Sequence, residues 1–518
     1  MKKKYILVCL LIMICITKIA SAQTTFQKLY GGITYNYGYD VNLTSDGGFI
    51  ITGVSSSFGA GNDDVYLIKT NANGDTLWSR TFGGANSDDG HAVQQTSDGG
   101  FIIAGNTSSF GSSAYVIRTD ANGNKLWTKT FGGSVFDYFV SVQQTSDNGF
   151  IFCGYTLSFG AGSFDIYLVK TGADGSISWT KTYGGLNNDY GSAVRQTSEG
   201  GYIITGYSNS FGGTNEKVCL IKTDANGNPS WSKTYGGANQ ERGYDVKQTS
   251  DGGYIVTGYS SSFGAGGNDV YLLKTDASGA VEWSETFGGG GNDFGYSVEQ
   301  TSDKGYIVGG NTTGVGLAFP DVLLIKTDSD GVMTMAKTYG GGADDEAFSV
   351  KQTSDDGYIV SGFSNSYTTS YFAYFIKTDA HLSSGCHESN FLPTRSSATT
   401  QVSTVTFQVS SGGTANTPAT IQRGGVEEMT LCVTVGIDEI KKGTSVSAYP
   451  NPFKNEIFIK GTSVVGTVTL FDITGKVIGG QKTAGTETRL STDNLLPGIY
   501  FVRYTDGNYT STIKVTKF

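Results

Sequence analysis

"YDVKQTSDGGYIVTGYSSSFGAGGNDVYLLKTDASGAVEWSETFGG" runs from Tyr244 to Gly289 and reads as four short strands joined by hairpins. The first, "YDVKQT", alternates apolar and polar residues, the period of a half-buried strand. "SDGG" then makes a tight turn, because Asp and Gly tolerate the positive φ that hairpin turns need. "YIVTGY" is a second strand and "DVYLLKTD" a third. After "ASG" a fourth carries Trp283. Four antiparallel strands in a unit of about 50 residues make one propeller blade.

Near copies of this unit fill most of the chain. Its closing phrase recurs as "WSRTFGG", "WTKTFGG", "WTKTYGG" and "WSKTYGG", the last at Trp231 to Gly237. All five tryptophans lie in this phrase, at 78, 127, 179, 231 and 283, and Met335 replaces Trp in a sixth copy. Seven phrases like "QTSD", centred on Thr44, Thr96, Thr145, Thr197, Thr249, Thr301 and Thr353, predict seven blades. No Trp strand follows the last C strand, Ala373 to Leu382. Instead "TTFQKLYGG" precedes the first A strand, with Phe26 in the Trp position. Phe26 to Tyr30 is therefore expected to complete the last blade and close the ring, leaving no open edge. The B strand always carries a small residue followed by Gly, as in Thr52-Gly53, which we ascribe to crowding of inner strands near the axis.

Composition agrees with an all-β protein: Gly is 75 of 518 residues, Pro only 7, and aromatics make up 12%. A net charge of −10, spread along the chain, argues against nucleic-acid binding, which needs clustered Lys and Arg. Lys2 to Lys4, the apolar run Tyr5 to Ile16, and Ala20-Ser21-Ala22 predict a cleaved signal peptide over residues 1–22. No other apolar stretch is long enough to span a bilayer, so no transmembrane segment is expected after cleavage. Cys386 and Cys432 flank a segment outside the repeats and are expected to pair in an exported chain. Cys153 and Cys219 stand where other repeats have Thr, Ala or Tyr and are expected as buried thiols.

"KTDANGN", nine residues ahead of Trp231, resembles the tryptophan-docking repeat of quinoprotein-type propellers. The resemblance implies that each Trp packs between neighbouring blades. The chain has no vicinal cysteine pair and no cofactor insert, so no quinone or other cofactor is expected. The C-terminal phrases "SAYPNPF", "VTLFDITGKVI", "LLPGIYFV" and "IKVTKF" resemble, in that order, the sorting domain of the type IX secretion system of Bacteroidetes-type bacteria. That resemblance implies an Ig-like β-sandwich, the type IX machinery as a partner, and a secreted or cell-surface location. The expected layout is thus a seven-bladed propeller over residues 23–385, a β-rich linker over 386–440, and the sorting domain over 441–518.

The D–A and B–C loops share one face of such a propeller and are its longer loops, so binding is expected there. One polar or acidic residue recurs four places after each Gly pair: Asn36, Asp88, Asp137, Asp189, Glu241, Asp293 and Asp345. Two readings are open for this set. It forms a ring at the channel mouth that takes a cation or sugar hydroxyls, or each acid accepts hydrogen bonds from its own turn. Aromatics on the same face differ between blades: Tyr35, Tyr37 and Tyr39 before the first, Phe136, Tyr138 and Phe139 before the third, and Tyr190, Tyr244, Phe294 and Tyr296 later. Aromatic faces suit sugar stacking. His91, His381 and His387 fit no triad or metal spacing, so no metal site is expected. These features suggest a binding or adhesion module directed at glycans. The alternative is a polysaccharide-active enzyme, a glycoside hydrolase such as an endoglucanase or a lyase. It would use acids such as Asp63-Asp64 or Asp344-Asp345.

Overall fold

The computed structural model describes residues 23–518 other than 212, 214, 315–318, 437–446, 461–465, 474–475, 484–486 and 506–509. The signal peptide expected at residues 1–22 lies outside them, as does the expected boundary between linker and sorting domain. Residues 24–435 form one compact unit and residues 436–518 another.

The first unit is a seven-bladed propeller of antiparallel sheets. In the first blade, strand A is Asn36–Leu43, B is Phe49–Ser55, C is Asp64–Thr70 and D is Thr76–Gly83. The A strands pack on one another around the axis. In the last blade, A (Asp345–Gln352), B (Tyr358–Ser364) and C (Phe372–Thr378) are completed by Gln23–Gly31 as strand D. Phe26 pairs with Lys377 just as Trp78 pairs with Lys69 in the first blade. The ring closes through its N-terminus, as the alignment of Gly pairs predicts.

Each Trp fills the wedge to the next blade. Trp78 meets Phe101 edge-on at 5.8 Å, and Trp231 meets Tyr254 at 6.0 Å. The indole also covers the C–D turn of that neighbour: a Cβ on Gly123, where φ is +75°, would lie 2.7 Å from Trp78. Phe26 covers Gly74 in the same way. The A–B turns are pinned from within, since the strand-C cation of every blade, such as Lys69, pairs with the acid of the "SDGG"-type turn.

The B-strand glycine has a different cause from crowding at the axis. Strand A carries a bulge in each blade, between Gly38 and Asp40 in the first. A Cβ on Gly53 would lie 1.8 Å from the carbonyl oxygen of Tyr37 just before that bulge. The extra residue shifts the inward face of strand A. Side chains at its second, fourth and seventh positions are half-buried in every blade, as is the eighth in all but the first, and the fourth, fifth and seventh line the channel.

Residues 386–436 are not a separate linker in this fold. They run back around the rim and add a fifth strand to every blade. The strands are Glu388–Asn390 on the sixth blade, Thr394–Ser397 on the fifth, Gln401–Thr404 on the fourth and Gln408–Ser410 on the third. Thr414–Asn416 and Ile421–Arg423 follow on the second and first, and Glu427–Gly436 lies beside Gln23–Gly31 on the seventh. This belt therefore makes one full circuit. Phe391 and Phe407 plug into the blade cores. Residues of the repeat hold its backbone: Ser79, Ser232 and Ser284, each following a Trp, donate to Gly425, Val405 and Ala398 at 2.8 Å. The strand-C hydroxyls of Tyr66 and Tyr167 donate to Gly425 and Gly412. A disulfide joins Cys386, ahead of the first belt strand, to Cys432 in the last. Cys153 and Cys219 are buried free thiols.

The second unit has a three-stranded and a four-stranded antiparallel sheet. Phe453, Ile457, Val468, Leu470, Val502 and Val515 share one core within it.

Candidate binding site at the channel mouth

Side chains at the mouth come from the start of strand A and the end of strand B. Strand A supplies Tyr37, Asp89, Tyr138, Tyr190, Arg242, Phe294 and Glu346, each one residue past the recurrent acid. Strand B supplies Tyr155, Tyr207, Tyr259 and Phe363, each just after the invariant Gly. These interleave into an aromatic collar. Tyr138 stacks on Tyr155 at 4.9 Å, and Tyr155 meets Tyr190 at 5.0 Å. Tyr190 packs on Tyr207 at 4.9 Å, and the Arg242 guanidinium lies 4.4 Å from the Tyr207 ring. Tyr259 meets Phe294 at 5.1 Å, and Tyr37 meets Phe363 at 4.8 Å. The second blade breaks the collar, where Asn106 joins Asp89 to His91 by hydrogen bonds of 3.1 and 2.7 Å, and the polar Asn311 and Glu346 interrupt it between Phe294 and Phe363. Arg242 is held by Glu216, which raises its pKa against the opposing effect of burial.

Of the aromatics expected here, Tyr37, Tyr138, Tyr190 and Phe294 stand in the collar half-buried, whereas Tyr35 and Phe136 are 54% and 47% exposed at its edge. Tyr39, Tyr244 and Tyr296 lie one layer deeper and line the channel. Phe139 does not belong to the site: it sits at the bulge facing the core and is fully buried. Sequence reasoning missed the strand-B contribution. Its signal is that the residue after the invariant Gly varies from blade to blade as Val54, Asn106, Tyr155, Tyr207, Tyr259, Asn311 and Phe363.

The recurrent acids form no open ring. Asn36, Asp88, Asp137, Asp189, Glu241, Asp293 and Asp345 are all fully buried between blades. Each acid accepts the N–H of the second Gly in its pair, at 2.8–3.1 Å. Asp88 also accepts the Thr107 and Ser109 hydroxyls. These bonds fix the D–A turn. Four have a second carboxylate beside them: Asp64, Asp165, Asp269 and Asp321, from strand C of the preceding blade. A Cβ on Gly83 would lie 2.1 Å from Asp64 and 2.6 Å from Asp88, which is why the first Gly of the pair recurs. Burial, then the neighbouring acid, raises Asp321 to about 7; burial leads the rise of Asp165 and Asp269 to about 6. At the fourth blade Lys217 replaces that second acid and pairs with Glu241 at 3.0 Å.

Among the described residues no cluster of three His, Cys, Asp or Glu side chains is placed to hold a metal ion. No described helix is long and apolar enough to cross a membrane.

Residues 447–517 match the family of secretion system C-terminal sorting domains. The chain carries a type IX sorting domain and is a secreted or cell-surface protein. No curated protein matches the chain. Among solved structures it is similar to PorZ, a surface component of the type IX secretion system of Porphyromonas gingivalis. The identity is 10%, the TM-score 0.42, and coverage 94% of this chain and 60% of that one. It is also similar to the extracellular domain of a one-component system of B. thetaiotaomicron, at 10% identity, TM-score 0.37, and 94% and 58% coverage. A third is Sqt1 from Chaetomium thermophilum, at 11% identity, TM-score 0.40, and 64% and 81% coverage. The chain spans about three-fifths of the length of the first two.

Proposed function

We propose that the propeller is the binding element of this secreted or surface protein, and that it takes saccharide chains on the aromatic collar. The supporting observation is the collar itself. Half-buried Tyr and Phe rings from strands A and B converge on one mouth, each locked by its neighbours. Rigid aromatic faces bind sugar rings through their C–H surfaces at little entropic cost, while phenolic hydroxyls and Arg242 supply polar contacts. The recurrent acids lie buried between blades, so they are structural groups in this reading, and the protein binds without cleaving.

The test is retention of the mature chain, residues 23–518, on a panel of immobilised polysaccharides, alongside a Tyr138→Ala/Tyr190→Ala variant. The wild type is retained on at least one polysaccharide and the variant at least tenfold less. Failure of the wild type to bind any of them overturns the reading. New reducing ends or unsaturated products in the same incubations would replace it with the enzymatic alternative.

A further inference from the structure

Below the collar the channel opens into a cavity of 440 Å³, within the range of small-ligand sites. Its two layers are unequal around the axis. In the upper layer Tyr244, Tyr296, Phe348 and Tyr39 form an aromatic crescent over four adjacent blades, with successive centroids 5.0, 5.4 and 5.3 Å apart. His91 extends it at 5.3 Å from Tyr39, while Val140 and Ser192 leave the opposite wall small. In the lower layer three cations enter, Arg195, Lys247 and Lys351, from the fourth, fifth and seventh blades.

The acids facing this layer are Asp245, Asp40 and Glu299. Asp245 is shared by two of the cations: it accepts Arg195 at 3.0 Å and Lys247, and also the N–H groups of Val246 and Val298. Asp40 accepts the Ser349 hydroxyl at 2.7 Å and the N–H of Val93 at 3.0 Å. Glu299 accepts the N–H of Gln352 at 2.6 Å. Lys351 donates to Ser349 Oγ and the Val350 carbonyl at 3.2 Å, and among the described residues no ion pair holds it.

We propose that this cavity binds the carboxylate of an acidic saccharide, with Lys351, Lys247 and Arg195 receiving the carboxylate and the crescent receiving the sugar ring. The proposal rests on the saccharide reading of the collar and adds the charge of the ligand. Two of the cations share one carboxylate, and all three repel one another. Burial, then Arg195 and Lys351, hold the Lys247 amine down to about 7 although Asp245 opposes them. A bound anion relieves that repulsion, and Lys351 gains the charged partner it lacks. An inorganic anion would satisfy the cations but leave the crescent without a partner.

The experiment is calorimetric titration of the mature chain with glucuronate, galacturonate and mannuronate oligosaccharides, their methyl esters, and inorganic phosphate. At least one acidic series binds, at least tenfold more tightly than its ester and than phosphate. Lys351→Met lowers that affinity at least tenfold with an unchanged melting temperature, and Lys351→Arg restores most of it. If acid and ester bind equally, or Lys351→Met and Lys351→Arg both bind like wild type, the carboxylate proposal falls and the collar reading stands. If phosphate binds as tightly as every saccharide, the proposal falls. If no saccharide binds, the collar reading falls with it.

Discussion

Cutting the Cys386–Cys432 disulfide tests the belt most directly. That bond joins residues 46 apart in sequence, and between them the chain passes all seven blades. The propeller therefore sits inside a covalent loop made of its own C-terminal segment. Closing a loop of about 47 residues removes unfolded-state entropy worth roughly 4 kcal/mol at 25 °C. The belt strands, the plugs Phe391 and Phe407, and the hydroxyl anchors of Ser79, Ser232 and Ser284 do not depend on the bond, so Cys432→Ser leaves the fold intact. Unfolding a propeller of about 400 residues carries an entropy of roughly 0.85 kcal/mol/K near 60 °C, so the loss amounts to about 5 °C in Tm. Scanning calorimetry of the mature chain reads it. Cys386→Ser lowers Tm equally, and the double variant no further, because all three remove one bond. Limited proteolysis adds a positional readout: with the bond cut, residues 427–435 peel from strand Gln23–Gly31 and are cleaved before the blades. A Tm within 1 °C of wild type together with an unchanged digestion pattern refutes the encircling loop. So does a double variant that loses twice as much as either single one.

Two other predictions concern the joints of the ring. Phe26→Ala empties the wedge over Gly74 where the N-terminal strand closes the last blade, and costs about 3–5 kcal/mol, measured by denaturant unfolding; a loss below about 1 kcal/mol refutes the closure argument. The Asp321–Asp345 pair makes stability fall as pH rises. Asp321 is raised to about 7 when folded, by burial and then by Asp345, from about 3.9 when unfolded, so the folded state holds the extra proton. Its contribution is complete below about pH 4 and is lost as pH rises through about 7. Asp321→Asn mimics the protonated group, so it melts like wild type at pH 4 and higher than wild type at pH 8; an equal Tm at pH 8 refutes the raised Asp321.

Most of the propeller was legible because its signals are local. Turn chemistry in "SDGG", alternation in "YDVKQT" and the fixed place of Trp each act within a few residues, and repetition makes them unmistakable. Ring closure was legible for a subtler reason. Strand D differs from A, B and C in its Gly pair, so a lone copy ahead of the first A strand can belong only to the last blade. The two readings of the acids stayed open because a spacing from the Gly pair gives a position along the strand and says nothing of its environment; the hydrogen bonds to their own turns decide for the second. Asp88 and its equivalents begin strand A, where the D–A turn and the B–C loop of their own blade close over them.

The first six belt strands stayed hidden because strands of three or four residues have no room to alternate, and their hydrogen bonds go to an edge that the sequence does not display. Its trace is a spacing: the strands begin at 388, 394, 401, 408, 414, 421 and 427, six or seven residues apart. Extended at about 3.3 Å per residue, that interval steps roughly 20–23 Å along the rim, one blade at a time. The same hidden strand explains a repeated feature of the blades. Ser or Thr after each Trp, and the strand-C hydroxyls of Tyr66, Tyr115, Tyr167 and Tyr271, would lack these partners in a four-stranded blade; with the fifth strand in place they bond to its backbone or side chains. The repeat thus encodes its own belt, and what is free to vary is left to the channel. The bulge in strand A points its second, fourth and seventh residues toward the axis, and these are the positions where the blades differ most: Tyr, Asp or Arg; Tyr, His or Ser; Arg, Lys or Glu. A scaffold held from outside by recurring contacts can carry side chains that differ from blade to blade inside, and that asymmetry gives one channel both an aromatic wall and a cationic floor.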